Sequence, residues 1–532
     1  MEREQYMNIE KGFNSKWFDK HIYRGVLFFL VGILVYSSMI VNELPNPDAI
    51  WNGLYYKDDW RWEVSLGRYM LPVFMKAFGY SINPPTFTIL CIVSMAIVGC
   101  LLCDLFELQG IRAVLCGMFL ICSPAVAGTL TYYYCSLYYM TAYLLAVYAG
   151  WIICKKKSIK FNLVAVICLC ISIATYQAYI GVVLVIVVMY KLQQLIKEDV
   201  EIKVLIREFL NAGIIVVGGI LAYLISCKII QNVLGIAAES GRGFSKMGKV
   251  PFEEIGILLK KCYIYTYQYF FSTEMINNEY GFKKELNFLF GIILFACFVT
   301  IIIKMKKSIV HKFLAIGMFM CIPIAVMSIT IAASDVSIYD TTGVIMLPTM
   351  NYIYILLLIL LRDCNTDIKN LCNIKGIYVY MIPILIAINL FSFCISMQSY
   401  TKTCKNKYDY LVKEIAHTIS LNGEEHALCF VGEVENGNYP EMYPELKESL
   451  HWTTAYYGMI WDTFSGRQSC WRQYLKQYTG RQYDGCNSKE YDDIINSAEF
   501  KTMNNYPDEN SVAVFENEEK TRTILVIKLG DI

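Results

Sequence analysis

Charge is scarce in this chain. Of its 532 residues only 17% are Asp, Glu, Lys or Arg, while 56% are hydrophobic and 14% aromatic; a soluble globular chain carries about 25% charge. The apolar residues come in long runs instead of amphipathic stripes, which excludes a string of soluble domains and indicates a polytopic membrane protein. A net charge of +1 excludes a basic nucleic-acid binder. Ionisable residues are almost absent from the apolar runs, so the chain lacks the proton relay or charged path that a secondary transporter tends to display. Metal-ligand spacing is missing too. Sixteen of the 20 cysteines precede residue 400, mostly inside apolar runs, where they act as small core hydrophobes. The other four, Cys404, Cys429, Cys470 and Cys486, show no CxxC pair. A Cys470–Cys486 bridge is open to them if the tail lies in an oxidising compartment. His417, His426 and His451 are scattered, and no Ser/His/Asp arrangement accompanies them.

What is present is a set of apolar runs near 24–43, 84–103, 111–129, 135–153, 209–230, 285–304, 309–331, 341–361 and 376–398, each near the roughly 20 residues that cross a bilayer. Residues 161–190 are apolar for longer than one span requires. Lys and Arg decide how that stretch folds, because short loops rich in them stay cytoplasmic. The basic segments are Lys11 to Arg24, Lys155–Lys157, Lys191 to Arg207, Lys304–Lys307, and Lys369 with Lys375. All lie on one side only if residues 161–192 form a hairpin that turns near Tyr176 and Gln177. The expectation is therefore about eleven membrane segments, with a cytoplasmic N-terminus and an extracytoplasmic C-terminus. Residues 1–398 form the membrane domain and 399–532 a soluble α+β domain, in which LCFVG, SVAVF and TRTILVIKL alternate at strand spacing. From Thr401 onward there are 21 acidic and 14 basic residues, net −7, which leaves +8 for the rest.

The exterior loops then hold the chemistry. In the first, 44–83, Asp58 and Asp59 are adjacent. Two neighbouring carboxylates at a membrane surface repel unless a cation, a metal or a proton compensates, and one of them can serve as a base. Arg61 and Arg68 lie two helical turns apart, so on one helix they would face a common anion, for which a phosphate is the natural partner. Trp51, Tyr55, Tyr56, Trp60 and Trp62 also fit an interfacial aromatic belt. Consecutive acids gain nothing from such an interface, so Asp58 and Asp59 read as a site. At the hairpin tip Tyr176 and Gln177 interrupt an apolar run, and the amide is placed to bond a sugar hydroxyl or to satisfy the turn backbone. Tyr132–Tyr134 offer rings for stacking a sugar, or for the belt. The loop 232–284 carries Glu239, Arg242, Lys246 and Lys249 without the GxxxxGK[ST] order of a nucleotide-binding loop; it reads as a cationic loop over a lipid phosphate or as plain solvated chain.

Asp58-Asp59 followed by Arg61, the GRY of Gly67–Tyr69 and the TYQAY turn together resemble the Gtr-type (GtrII-like) glucosyl transferases that decorate O-antigen and related bacterial surface glycans. The tail stretches NYPDENSVAVF and ILVIKLGD look like the ends of Gram-positive members. The resemblance implies a GT-C enzyme of the cell membrane that takes a sugar, glucose by the family's habit, from a donor such as undecaprenyl-phosphate-glucose and gives it to a cell-surface glycan. It implies that Asp58 or Asp59 is the general base and the other an orienting group. Arg61, Arg68 or Arg242 would neutralise the departing phosphate, and the candidate substrate contacts further include Trp60, Tyr133, Tyr176 and Gln177. No cofactor is expected; a divalent metal between the carboxylates is the less favoured option. The longer tail, of about 130 residues, sets the chain apart from the O-antigen enzymes and bears on the acceptor. The competing readings are a flippase or exporter of lipid-linked glycans, and a glycan ligase or polymerase.

Overall fold

The computed structural model describes residues 15–239, 252–271, 283–332, 347–372, 378–435, 437, 459–461 and 463–531. Within them eight helices are long and apolar enough to cross a bilayer, among them His21–Asn42, Pro84–Leu105, Ser136–Lys155 and Ile202–Leu234. Ile111–Ile121 and Pro124–Leu130, bent by 47°, are long and apolar enough together for a ninth, as a broken span or a re-entrant loop. The bend has a local cause: Ser123 precedes Pro124 and is extended, with φ −65° and ψ 131°, since a following proline disfavours the helical region. Two further expected segments are helical without meeting that standard. Ile159–Thr175 has 17 residues, about 26 Å of helix, and Tyr352–Cys372 turns polar after Leu361.

One helix was not legible as such. The stretch 232–284, read as an exterior loop, contains Ile255–Phe271, which buries Leu258, Cys262, Tyr269 and Phe270. It packs on Ile309–Val326, where the Tyr263 hydroxyl donates to the Met320 carbonyl at 2.6 Å. Lys260 and Lys261 interrupt its apolar stripe and hide it from a hydropathy window.

The hairpin is present, and contacts along its helices prove its direction. Tyr143 meets the Tyr179 ring at 5.4 Å, Gly150 packs under Ile186, and Lys155 lies 5.7 Å from the Tyr190 ring. A near-constant offset of this kind means that Ser136–Lys155 and Ile180–Lys197 run parallel. Between them Ile159–Thr175 runs the other way: Ser172 Oγ donates to the Ala142 carbonyl at 2.7 Å, and Tyr176 stacks on Tyr139 at 4.4 Å. The chain therefore reverses at Tyr176–Tyr179.

That reversal gathers the basic residues at one end of the bundle. Lys157 and Lys191 both pair with Glu208, at 2.5 and 2.7 Å. Lys197 pairs with Glu107 at 2.7 Å, Lys307 donates to the Leu195 carbonyl at 2.9 Å, and Arg362 to the Phe106 carbonyl at 2.6 Å.

At the opposite end a single helix, Met381–Asn422, runs unbroken through residue 398, where the sequence suggests a domain boundary. Gln398 fixes it to the first span, accepting from Met39 N at 3.0 Å and donating to the Val35 carbonyl at 2.7 Å. The tail then forms a three-stranded sheet in the order β1 (Ala427–Val431), β3 (Thr523–Lys528), β2 (Val512–Glu516), with β1 parallel and β2 antiparallel to β3. Helix Phe464–Thr479 lies between this sheet and the first loop. Trp461 Nε1 donates to Asp48 at 3.1 Å, and the Cys470 thiol reaches the Pro47 carbonyl at 3.5 Å. Cys470 thus faces the loop, away from the Cys486 partner considered for it.

Candidate functional site

The first loop is built around turns that its sequence dictates. Asn46 caps Pro47–Asn52 by accepting from Ala49 N at 2.8 Å. Gly53 follows at φ +91°, and a Cβ there would lie 2.5 Å from the Tyr56 carbonyl oxygen, so only glycine fits. Lys57 N and Ile82 N then donate to the Tyr80 and Tyr55 carbonyls, at 3.2 and 2.9 Å, and close the loop on itself.

Asp58 and Asp59 come next, both exposed. Asp59 accepts from Arg61 N at 3.1 Å, a local turn that starts the short helix Arg61–Ser65. Trp60 points inward, 4% exposed, with its ring 6.2 Å from that of Tyr134. Trp51, Tyr55, Tyr56 and Trp62 point outward.

Arg61 and Arg68 do not share a helix face. The helix stops at Ser65, and Gly67 at φ +78° turns the chain. Gly67 N bonds to the Val64 carbonyl and Arg68 N to the Glu63 carbonyl, at 2.9 and 2.8 Å, the two bonds of a glycine-terminated helix end. Arg61 is left exposed while Arg68 is carried inward. There Arg68 Nη1 donates to the Tyr139 hydroxyl at 3.0 Å, and its guanidinium carbon sits 5.0 Å from the Tyr176 ring centre. Among the described residues its enclosed Nε atom has no hydrogen-bond partner, and no carboxylate lies within ion-pair distance of it. A guanidinium placed against tyrosine faces gains cation–π energy yet keeps a donor and a full charge to offer an anion.

The tip of the hairpin holds this turn in place. Gln177 Nε2 donates to the Leu66 carbonyl at 2.6 Å and to the Tyr223 hydroxyl at 3.1 Å. Gln231 Nε2 donates to the Val64 carbonyl at 2.9 Å, and Glu239 N to the Ser65 carbonyl at 3.0 Å. Three successive carbonyls at a helix end therefore accept from other elements, Val64 in addition to its bond from Gly67 N. Of the two tasks open to the Gln177 amide nitrogen, it performs the backbone one.

The open tyrosine platform suggested at 132–134 is not there: Tyr132, Tyr133 and Tyr134 are all buried, Tyr133 completely. The burial follows from position, since they fill the turn between the broken span and the next helix, under the first loop. Arg242, Lys246 and Lys249 lie outside the described residues.

Sequence reasoning passed over Glu63 and Lys57. They form a buried ion pair at 3.0 Å, with the Lys57 ammonium 4.9 Å from the Trp60 ring and 5.1 Å from that of Tyr134. The second Glu63 carboxylate oxygen has no partner among the described residues. Tyr139, Tyr223 and Gln231 were missed as well. Nothing local set Gln231 apart, since Lys228 and Asn232 lie beside it near the end of the same helix.

The arrangement thus consists of an exposed acid pair, a half-buried cation aimed at tyrosines, and a turn clamped from two helices. A family model described as "Glucosyl transferase GtrII" matches residues 37–359, the stretch that holds all of these groups and leaves out the tail. No curated protein and no solved structure matches the chain.

Proposed function

The chain belongs to the glucosyl transferase GtrII family, and we propose that it moves glucose from a polyprenyl-phosphate carrier to a cell-surface glycan. In this reading it is a GT-C enzyme of a bacterial cell membrane such that the lysine-rich end of the bundle and the N-terminus are cytoplasmic. The first loop and the tail are then extracytoplasmic.

The observation that carries the reading is Arg68, a cation turned inward beside tyrosines with a free donor and no carboxylate among the described residues. A sugar phosphate supplies the missing negative charge. A second feature supports a lipid-linked donor: a cavity of about 970 Å³ lined by Phe270, Phe288, Phe295, Pro323, Ile353 and Leu356, with Lys284 and Glu285 among its few charged contributors. Apolar walls of this kind suit an isoprenoid chain.

The chemistry follows from the parts. Asp58 or Asp59 takes the proton from an acceptor hydroxyl, and the other carboxylate orients it. The acceptor oxygen bonds to the anomeric carbon as the bond from that carbon to the phosphate oxygen breaks. Polyprenyl phosphate leaves with the electron pair, and Arg68, with Arg61 and Arg242 as further cations, offsets the charge that develops on it. No cofactor enters this scheme.

The test is transfer of radiolabelled glucose from polyprenyl-phosphate-glucose to isolated surface glycan by purified enzyme. Asp58→Asn and Asp59→Asn should each abolish product while expression is unchanged. Full activity in both variants sinks the reading. Uptake of labelled carrier into proteoliposomes without glycan product would replace it with a transporter.

A further inference from the structure

Strand β1 presents its residues alternately to two cores. Leu428 and Phe430 join the main one. Ala427, Cys429 and Val431 pack into a separate small core with Cys486, Tyr491, Ile494 and Phe500. The segment that leads into helix Ser488–Asn496 runs beside β1: Leu428 N donates to the Asp484 carbonyl at 2.9 Å, and Cys486 N to the Leu428 carbonyl at 3.0 Å. These two bonds make a parallel bridge between Leu428 and Gly485. One residue further on, Cys429 and Cys486 stand opposite each other on the same face. Paired strands lie about 4.8 Å apart, inside the roughly 4.4–6.8 Å separation of α-carbons that a disulfide spans.

Both stand as thiols in the structure, 0% and 8% exposed. Their sulfurs are within reach of one another: the Cys429 thiol is held well above its ordinary range, first by its hydrogen bond with Cys486 and then by burial. Among the described residues no group of three or more His, Cys, Asp or Glu could hold a metal. Zinc bound by thiols takes four ligands, so a metal does not account for the pair.

We propose that Cys429 and Cys486 form a disulfide in the mature protein. The inference rests on the extracytoplasmic placement of the tail stated above, since such bonds persist in oxidising compartments. The oxidant is the catalytic disulfide of an exported thiol–disulfide oxidoreductase. The less buried Cys486, as thiolate, attacks one of its sulfurs to give a mixed disulfide; Cys429 then displaces that sulfur. Two thiols lose two electrons and two protons, and the oxidant leaves as a dithiol. The new bond closes the chain between residues 429 and 486, which includes helix Phe464–Thr479 and its grip on the first loop through Trp461 and Cys470.

The test uses the full-length protein in its own membranes. Cells are quenched in acid, the protein is denatured without reductant and alkylated with a maleimide, and its peptides are weighed. The peptides containing Cys429 and Cys486 should appear as one linked species, lighter than their sum by two hydrogens, and should separate and become alkylated only after reduction. Cys470 should be alkylated from the start. Alkylation of Cys429 and Cys486 before reduction overturns the proposal, as does linkage of Cys486 to Cys470. An impermeant protease added to intact cells tells the two failures apart: free thiols in a digested tail refute the pair alone, and free thiols in a protected tail refute the sidedness with it. The wild type should also lose thermal stability on reduction, to the level of the Cys429→Ser/Cys486→Ser double variant.

Discussion

Gln177 donates a 2.6 Å hydrogen bond to the backbone carbonyl of Leu66, across 111 residues of chain. The bond ties the tip of a membrane hairpin to the turn that carries Arg68. Gln177→Leu keeps the volume and removes the donor, which leaves the Leu66 carbonyl and the Tyr223 hydroxyl short of a partner in a buried place. A buried polar group without its bond costs about 1–3 kcal/mol. Glucose transfer should fall about tenfold or more through displacement of Arg68, with a lower thermal midpoint, both measured on purified protein. Unchanged values in both would show that the turn holds without the clamp.

Arg68 should matter through its charge and through its fork of donors. Arg68→Ala should reduce transfer by about 10²–10³-fold, the loss typical when one group that stabilises developing charge is removed. Arg68→Lys keeps the charge but not the bond to Tyr139 together with a second contact to an anion, so its activity should lie between the two. Steady-state kinetics with varied donor should show the defect on the donor side, while the acceptor KM stays near that of the wild type.

Glu63 is buried and the Lys57 side chain is only 10% exposed, and each compensates the other. Removal of one partner from a buried pair costs about 3–5 kcal/mol, whereas replacement of both is frequently close to neutral. Glu63→Gln alone should lower the yield of folded protein and its thermal midpoint. Lys57→Met combined with Glu63→Gln should recover most of that loss. A double-mutant cycle on thermal midpoints measures the coupling.

In the tail, Arg522 Nε donates to Glu490 at 2.8 Å, and Glu490 also accepts from Asn487 N at 2.9 Å, in a capping box that starts helix Ser488–Asn496. The Arg522 bond chiefly holds the Glu490 carboxyl below its ordinary range, with Asn487 N assisting and burial opposing. A carboxyl depressed on folding stabilises at any pH above its unfolded value, about 4.3. That contribution is lost as pH falls below this value towards the lower folded one. The protection factors of Ser488–Asn496 against hydrogen exchange, corrected for the fall of the intrinsic rate with pH, should therefore drop in acid, and Arg522→Met should remove that part of the pH dependence.

Much of the membrane architecture was legible because it depends on composition. Apolar length marks a span whatever it packs against, and the requirement that lysines share one side forced the hairpin at Tyr176 before any contact was known. The helix Ile255–Phe271 escaped because Lys260 and Lys261 break its apolar run. The candidate site was legible in its parts but not in its geometry. Seven residues between Arg61 and Arg68 suggest a common face only while the chain stays helical, and Gly67 ends the helix between them. Gln177 looked free because its acceptor lies far away in sequence. Glu63 looked like any loop acid because nothing local shows that Lys57 and Trp60 will enclose it. Pairing in the tail had the same difficulty, as Cys486 faces Cys429 by strand register and not by nearness along the chain.

The helix Met381–Asn422 passes from the bundle into the tail without a joint. The part beyond Gln398 is about 36 Å long, and a helix cannot bend sharply without a proline, a bulge or an inserted group to interrupt its ladder. Trp461 braces the domain a second time, against Asp48. A body fastened at two points to one frame has no swing of its own: it tilts with the membrane part and sits at a set height above the first loop. In such an enzyme the catalyst does not reach out for a distant glycan. On the function proposed above, it is then the acceptor that has to supply the slack and come down to the first loop.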